Sequence, residues 1–380
     1  MQIPFHKAYI TEEEIEEVVG VLKSGWLTMG PKTVEFEEKF RDYIFRDSDV
    51  PKEKCFAISV NSCTAALHLA LKAIGLKTGD EVILPTNTFV ATAEVVTYFG
   101  ATPILCDIEN DTHNIDVSKI EELITDKTKA IIPVHFGGQP CDMDKIKDIA
   151  VKYNLKVIED AAHALPSRYK GKLIGTIGDI TCFSFYATKT LSTGEGGMIT
   201  TTNEEYARKM RINRLHGIDR DAWNRYTERG NWYYEVVDNG YKYNTTDINA
   251  ALGLAQLRKL DWMKDRRVQI AKRYTDAFLG TKVIPPTVRP DRETSWHLYV
   301  VKVNNRDYVI KKLKEEGVSC SVHFIPVHRH PYYKNFYGYM KENFPVAESV
   351  YKKSISLPIY PGLKDVEVDY IIEKVLFYAD

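Results

Sequence analysis

Long apolar runs are missing from this 380-residue chain. Nowhere do about 18 or more apolar residues follow one another, the length a membrane-crossing helix needs. Residues Met1 to Glu14 lack the apolar stretch of a secretory signal and carry acids early. Charge of one sign is missing too: 51 basic against 52 acidic residues leave a net charge of −1. That balance excludes a bulk electrostatic grip on nucleic-acid backbones or a polybasic hold on anionic membranes. Cysteine is scarce. Cys55, Cys63, Cys106, Cys141, Cys182 and Cys320 are widely spaced, form no CxxC pair and mostly sit in apolar runs. Buried free thiols in a cytoplasmic, reducing setting are expected, rather than disulfides or a metal site. Repeats and low-complexity tracts are absent.

What is present suits a globular protein with a sizeable core: 44% of residues are hydrophobic and 27% charged. At about 100–200 residues per domain, the length suggests two or three domains. Tyrosine is abundant, with 23 copies, many of them after residue 220.

Thr11 followed by Glu14 reads as a capping box, and Ile15, Val18, Val19 and Leu22 continue at helical spacing as far as Gly25. Pro31 opens a second helix carrying Val34, Phe36, Phe40 and Ile44. From residue 55 short apolar runs at 55–60, 81–84, 102–107, 130–134 and 156–158 alternate with helical stretches at 64–74, 90–99, 117–124 and 143–153. This rhythm predicts βαβ units and a mostly parallel sheet covered on both faces. Adjacent strands at 179–185 and 197–202 and a helix at 204–215 follow. Residues 217–244 form a long aromatic and polar stretch, with Trp223, Tyr226, Trp232, Tyr233, Tyr234, Tyr241 and Tyr243. Its length points to function, and its aromatics argue against disorder. A helix is expected at 246–260. From 261 a smaller unit should comprise a basic helix, a strand at 298–303, a helix at 308–316, a strand at 319–325 and two closing helices.

Four segments place chemistry at strand ends, where open α/β sheets bind ligands. Ser59-Val-Asn-Ser-Cys-Thr-Ala-Ala66 runs from a strand into a small-residue helix start. Ser62, Thr64 and the helix N–H groups there make either a phosphate cradle or a tight capped turn. The run Leu155–Ile158 ends on the acidic pair Glu159-Asp160, with His163 three residues on. A buried Asp160 needs a cationic or donor partner, whether in a structural ion pair or at a ligand. Thr181–Thr188 hands over to Lys189 and then to Gly194-Glu-Gly-Gly197. A lysine at a buried strand end can have its pKa lowered by desolvation and serve as nucleophile or base. Phe89 opens a helix after a strand, where its ring can cover a flat ligand or fill a core. One ligand answers all four: flat and aromatic, with a phosphate, a ring nitrogen for Asp160 and a carbonyl for Lys189. Pyridoxal 5′-phosphate meets that description.

With these motifs, the sequence resembles the DegT/DnrJ/EryC1/StrS sugar aminotransferases over nearly its whole length. The motifs are Ser24-Gly-Trp-Leu-Thr-Met-Gly-Pro31, Asp80–Pro85, Lys129–His135, Glu159-Asp-Ala-Ala-His163, Phe183–Phe185 with Lys189, Gly194–Gly197, Gly240-Tyr-Lys-Tyr-Asn-Thr-Thr-Asp247 and Val322–His328. The resemblance implies the fold-type I, aspartate-aminotransferase-like α/β architecture. A large cofactor-binding domain would span 1–260 and a smaller C-terminal α+β domain 261–380. It implies that Lys189 holds the cofactor as a Schiff base, that Asp160 faces its ring nitrogen, and that His163 lies beside its phenolic oxygen. Phe89 would stack on the ring, and Ser62, Cys63 (through its backbone N–H) and Ser184 would touch the phosphate. Asn244 would reach the phosphate of a neighbouring subunit's cofactor in a homodimer with shared sites. Trp26, Thr28, His323 and, from the partner subunit, Arg229 would contact a nucleotide sugar. Relatives that dehydrate carry His where this chain has Lys189, so the resemblance implies amination. The expected reaction moves an amino group from glutamate to C4 of a nucleotide-linked 4-keto-6-deoxy sugar or 4-keto pentose, by a ping-pong cycle. A C3-keto sugar or cyclitol aminotransferase, or a cofactor-binding regulator on the same scaffold, are the alternatives. The pathway stays open among polysaccharide, lipopolysaccharide and related sugar syntheses.

Overall fold

The computed structural model describes residues 1–219 and 233–379. Helix α1 (Glu12–Ser24) starts where the Glu14 carboxylate accepts the Thr11 N–H at 2.8 Å, and stops at Gly25, whose φ of 73° only glycine takes up without cost. Helix α2 (Pro31–Ile44) follows. The strands and helices of the large unit then alternate: β1 (Phe56–Val60), α3 (Cys63–Ala73), β2 (Glu81–Pro85), α4 (Val90–Thr97), β3 (Thr102–Cys106), β4 (Thr128–Ile131), α5 (Met143–Lys152) and β5 (Lys156–Asp160). Two short strands, β6 (Arg168–Tyr169) and β7 (Lys172–Leu173), precede β8 (Ile180–Ser184), β9 (Gly197–Thr201), α6 (Glu204–Asn213) and α7 (Asp247–Arg258).

Seven strands make one sheet in the order β1-β9-β8-β5-β4-β2-β3. Strand β9 runs antiparallel to β1 and β8, and the neighbours from β8 through β5, β4 and β2 to β3 are parallel. Both faces are buried, as the continuous apolar strands require. On one face Phe36 and Phe40 of α2 pack against Phe183 and Phe185; on the other, α3, α4 and α6 cover Ile58, Leu84, Ile158 and Ile199. Helix α8 (Leu260–Phe278) leads to β10 (Arg292–Glu293), β11 (Tyr299–Lys302), α9 (Arg306–Glu315), α10 (Pro331–Tyr337), α11 (Pro345–Lys353), β12 (Ser354–Leu357) and α12 (Asp365–Ala379). Strands β11 and β12 pair antiparallel. Their core joins Tyr274, Phe278, Leu313 and Ile371 and takes in Ile3 from the chain start. Helices α10 and α11 return to the large sheet, where Tyr333, Phe344 and Val350 join its second core cluster.

Four expectations are corrected. Residues 117–124 form two 3-10 turns, Val117–Lys119 and Glu121–Leu123, instead of a helix. Asp116 takes both the Ser118 N–H and its hydroxyl, which winds the first turn tightly. The run at 130–134 leaves regular pairing after Ile131, because Pro133 offers no N–H to a ladder. Residues 319–325 are not a strand: Ser321 alone bridges to Ser356, and the chain then turns so that the Phe324 N–H reaches Asn87 Oδ1. The closing helices number three, since α10, α11 and α12 all follow that turn. No helix among the described residues is long and apolar enough to cross a membrane.

Candidate active site

The C-terminal ends of β2, β5 and β8 meet around a cavity of about 440 Å³. Its walls carry Ser62, Cys63, Phe89, Asp160, His163, Ser184, Lys189 and His323, residues drawn together from across the sequence.

Strand β5 explains its acidic pair. Neighbouring side chains on a strand point to opposite faces, so Glu159 and Asp160 separate. Glu159, fully buried, meets His135 Nε2 at 2.9 Å on the side away from the cavity. Asp160 faces the cavity. Its carboxylate accepts the Thr92 hydroxyl at 2.8 Å and the Ala162 N–H at 3.1 Å, and it forms no ion pair with the described residues. Burial pushes its carboxyl above the ordinary range, against the pull of those hydrogen bonds and of the Lys189 charge. A buried carboxylate with spare acceptor capacity and no cation at contact suits a ligand's N–H.

Lys189 sits on the turn after β8. Burial pushes its amine down to about 8, partly offset by Cys63 and Asp160. A neutral amine at that value is available near physiological pH. His163 stacks on Phe324, with ring centroids 5.7 Å apart, and its Nδ1 accepts the Gly137 N–H at 3.3 Å. That acceptor role assigns the ring proton to Nε2, leaving a donor for a ligand oxygen. Burial holds His163 well below its usual pKa, so it stays neutral.

Ser62 caps α3 by accepting the Ala65 N–H at 3.1 Å. The first N–H groups of any helix lack partners within it, and they attract anions. Gly197 lies directly beneath: a Cβ there would stand 2.7 Å from the Ser62 carbonyl and 2.9 Å from the Cys63 nitrogen. Ser184 Oγ accepts the Tyr186 N–H at 3.3 Å on the adjoining wall. Phe89 is 59% exposed at the start of α4, an aromatic ring left at the cavity edge. His323 Nδ1 lies 2.8 Å from Ser356 Oγ, and burial lowers its pKa to about 4, with the Lys189 charge adding to it.

Other residues lie elsewhere. Trp26, Thr28 and Asn244 do not line this cavity. The Asp247 N–H bonds the Leu27 and Thr28 carbonyls, both at 3.2 Å, so the 26–28 stretch is held at the start of α7. Asn244 is close in sequence to that same point, and its buried Oδ1 has no hydrogen-bond partner. Arg229, with Trp223, Tyr226 and Trp232, falls outside the described residues.

The cavity also holds residues that sequence reasoning did not single out. Thr92 lies within the helical stretch expected at 90–99, and only its bond to Asp160 reveals it. Tyr186 follows Ser184 and is 47% exposed. His297 packs on His163 with centroids 4.4 Å apart, across a separation no local pattern announces.

A buried amine and a buried carboxylate in one cavity, beside an anion-seeking helix start, suit the class of cofactor-dependent transferases working through a carbonyl. Within it, the chain belongs to the DegT/DnrJ/EryC1/StrS aminotransferase family, matched over residues 8–376, and it is an aminotransferase. It is 50% identical to the spore coat polysaccharide biosynthesis protein SpsC of Bacillus subtilis, over 98% of this chain and 96% of that protein. The sugar aminotransferase Spr1654 of Streptococcus pneumoniae in its PMP form is 37% identical, with a TM-score of 0.91 over 100% of this chain and 99% of that one. Helicobacter pylori PseC, an aminotransferase of pseudaminic acid biosynthesis, is 28% identical, with a TM-score of 0.90 and the same coverage.

Proposed function

We propose that this protein is a sugar aminotransferase that moves an amino group from glutamate to C4 of a nucleotide-linked 4-keto-6-deoxy sugar or 4-keto pentose. The observation that carries this reading is the meeting of Lys189 and Asp160 in one cavity with His163 and the first turn of α3. The cofactor is pyridoxal 5′-phosphate; when bound, it supplies a carbonyl that takes up amino groups and a ring that withdraws electrons from the carbon losing a proton.

The residues present fit that group. The N–H groups at Cys63 and Thr64, with Ser62 and Ser184, would hold its phosphate. Asp160 would keep a proton on its ring nitrogen and so regain a charged partner. His163 Nε2–H would donate to its phenolic oxygen, and Phe89 would cover its ring. Lys189 would hold the cofactor through its carbonyl and would serve as the general base, taking the proton from the donor's α-carbon and delivering one to the sugar carbon. His323, across the cavity, contributes a neutral imidazole to the sugar.

A homodimer with shared sites is part of the same proposal. Asn244 and the Trp26–Thr28 stretch lie together outside their own chain's cavity. The outer side of α1 adds exposed Ile15, Val19 and Leu22 next to exposed Leu27. Apolar side chains grouped this way suit burial against a second copy. From there Asn244 would serve the phosphate, and Trp26, Thr28 and Arg229 the nucleotide, of the neighbouring site.

The test is a panel of nucleotide-linked 4-keto sugars, a 3-keto sugar and a cyclitol ketone, each offered with glutamate. Amination of a 4-keto sugar, located at C4 by NMR of the product, is expected. Turnover confined to the 3-keto or cyclitol substrates would overturn the C4 reading.

A further inference from the structure

Behind Asp160, on the face of β5 away from the cavity, Glu159 and His135 are both fully buried. The backbone N–H of Cys141 donates to His135 Nδ1 at 3.1 Å. An N–H can only donate, so Nδ1 is the acceptor and the ring proton is assigned to Nε2. Nε2 then donates to Glu159 Oε2 at 2.9 Å. The other carboxylate oxygen accepts the Gly178 N–H at 2.8 Å and the Thr181 hydroxyl at 2.7 Å. Three donors thus converge on Glu159. Burial pushes its carboxyl up, but the bond from His135, aided by Thr181 and Gly178, overcomes that and holds it below the ordinary range. The same elements grip the Asp160 backbone: its N–H bonds the Pro133 carbonyl at 2.9 Å, and its carbonyl accepts the His135 N–H at 3.2 Å.

We infer that Glu159 is a positioning residue: a fixed buried anion, held by His135, Thr181 and Gly178, that braces β5 behind Asp160 and strengthens the hold of Asp160 on the ring-nitrogen proton. A fixed negative charge in a poorly screened interior favours the protonated state of a titratable group close to it. The remaining groups facing the two carboxylates do not cancel this. Cys182 and Cys63 are kept as neutral thiols by burial, as is Cys141 behind them. Among the described residues, Lys189 pulls the Asp160 carboxyl down from the cavity face and His135 from behind, less than burial pushes it up, and Lys189 would be engaged with the cofactor in the loaded enzyme. Glu159 does not line the cavity.

This inference rests on the assignment of Asp160 to the ring nitrogen, and the experiment separates the two. The visible absorbance of the bound cofactor is titrated from about pH 5 to about pH 9, alongside the glutamate half-reaction. In Glu159→Gln the absorbance midpoint should move to lower pH, and kcat should fall about tenfold with KM for glutamate unchanged. Glu159→Asp, which keeps the charge, should stay within about threefold of wild type. A folded Glu159→Gln with an unmoved midpoint, or a Glu159→Asp shifted as far as Glu159→Gln, overturns the inference. If Asp160→Asn leaves the midpoint unmoved, the ring-nitrogen assignment fails instead. The carboxyl carbon shift of Glu159 in the unmutated protein needs no variant to fold: it should stay that of a carboxylate across the whole range, and a titration within it overturns the inference.

Discussion

At the scale of single residues, the site works by withholding partners. Among the described residues Lys189 has no carboxylate at contact and Asp160 no cation, so each retains capacity for a ligand. Lys189→Ala should lower transamination by more than about a thousandfold and remove the visible absorbance of bound cofactor, while the melting temperature holds. Full activity in that variant would end the assignment. The lowered amine gives a pH signature. Its folded value of about 8 lies below the usual lysine value, and only the neutral amine attacks a carbonyl. The rate at which apo-protein captures pyridoxal 5′-phosphate should therefore climb with pH through about 8 and level off above it. A rate flat from neutral pH upward would refute the burial effect. Thr92→Val removes a donor from Asp160 and should cost about 1–2 kcal/mol of transition-state stabilisation, roughly tenfold in kcat, at near-constant stability. Stopped-flow measurement of the half-reaction checks it. Asp160 was legible because it ends an apolar strand, and Lys189 because it follows one on the way to a glycine-rich turn, both local patterns. His297 was not, because its place depends on the segment before β11 packing against His163, far away in the sequence.

Secondary-structure elements set the precision of the cavity. Strand β9 starts with Gly197 pressed against the first turn of α3, which makes the phosphate cradle a packing feature as well as a capping one. Gly197→Ala would place a methyl 2.7 Å from the Ser62 carbonyl, so the turn has to shift. Cofactor affinity should fall at least about tenfold, read by equilibrium titration, whereas unchanged affinity would mean that the cradle lies elsewhere. Asp247 plays the corresponding part for α2. Its carboxylate accepts the Gly30, Lys32 and Thr33 N–H groups and the Thr33 hydroxyl, at 2.6 to 3.1 Å. It therefore fixes the stretch from Trp26 to Pro31. The alternation of strands and helices was readable from residue 55 to 160, where burial on both faces leaves a plain apolar rhythm. It misled at 117–124 and 319–325. In the first, a side-chain cap tightened the turn; in the second, alternating residues serve a loop that bends toward Asn87. Neither effect has a periodic signature.

The neutral overall charge fits a protein that meets anions only at built places, the start of α3 and the cavity mouth, rather than along a surface. Neutral histidines and a lysine whose amine is lowered to about 8 line the cavity. At the level of the whole assembly, Asn244 decides whether one chain is enough. Asn244→Ala should weaken cofactor binding about tenfold, and at limiting cofactor this variant should be nearly silent. Lys189→Ala is silent in its own site. If Asn244 serves the partner's cofactor, a mixed dimer of the two variants has one site with both lesions and one with neither. Random reassociation of equal amounts should then restore about a quarter of the sites in a closed two-fold dimer. If Asn244 acts within its own chain, every site in the mixture carries one lesion and no activity returns. The mixing assay thus reads directly whether the aromatic stretch before Asn244 delivers it across a subunit boundary.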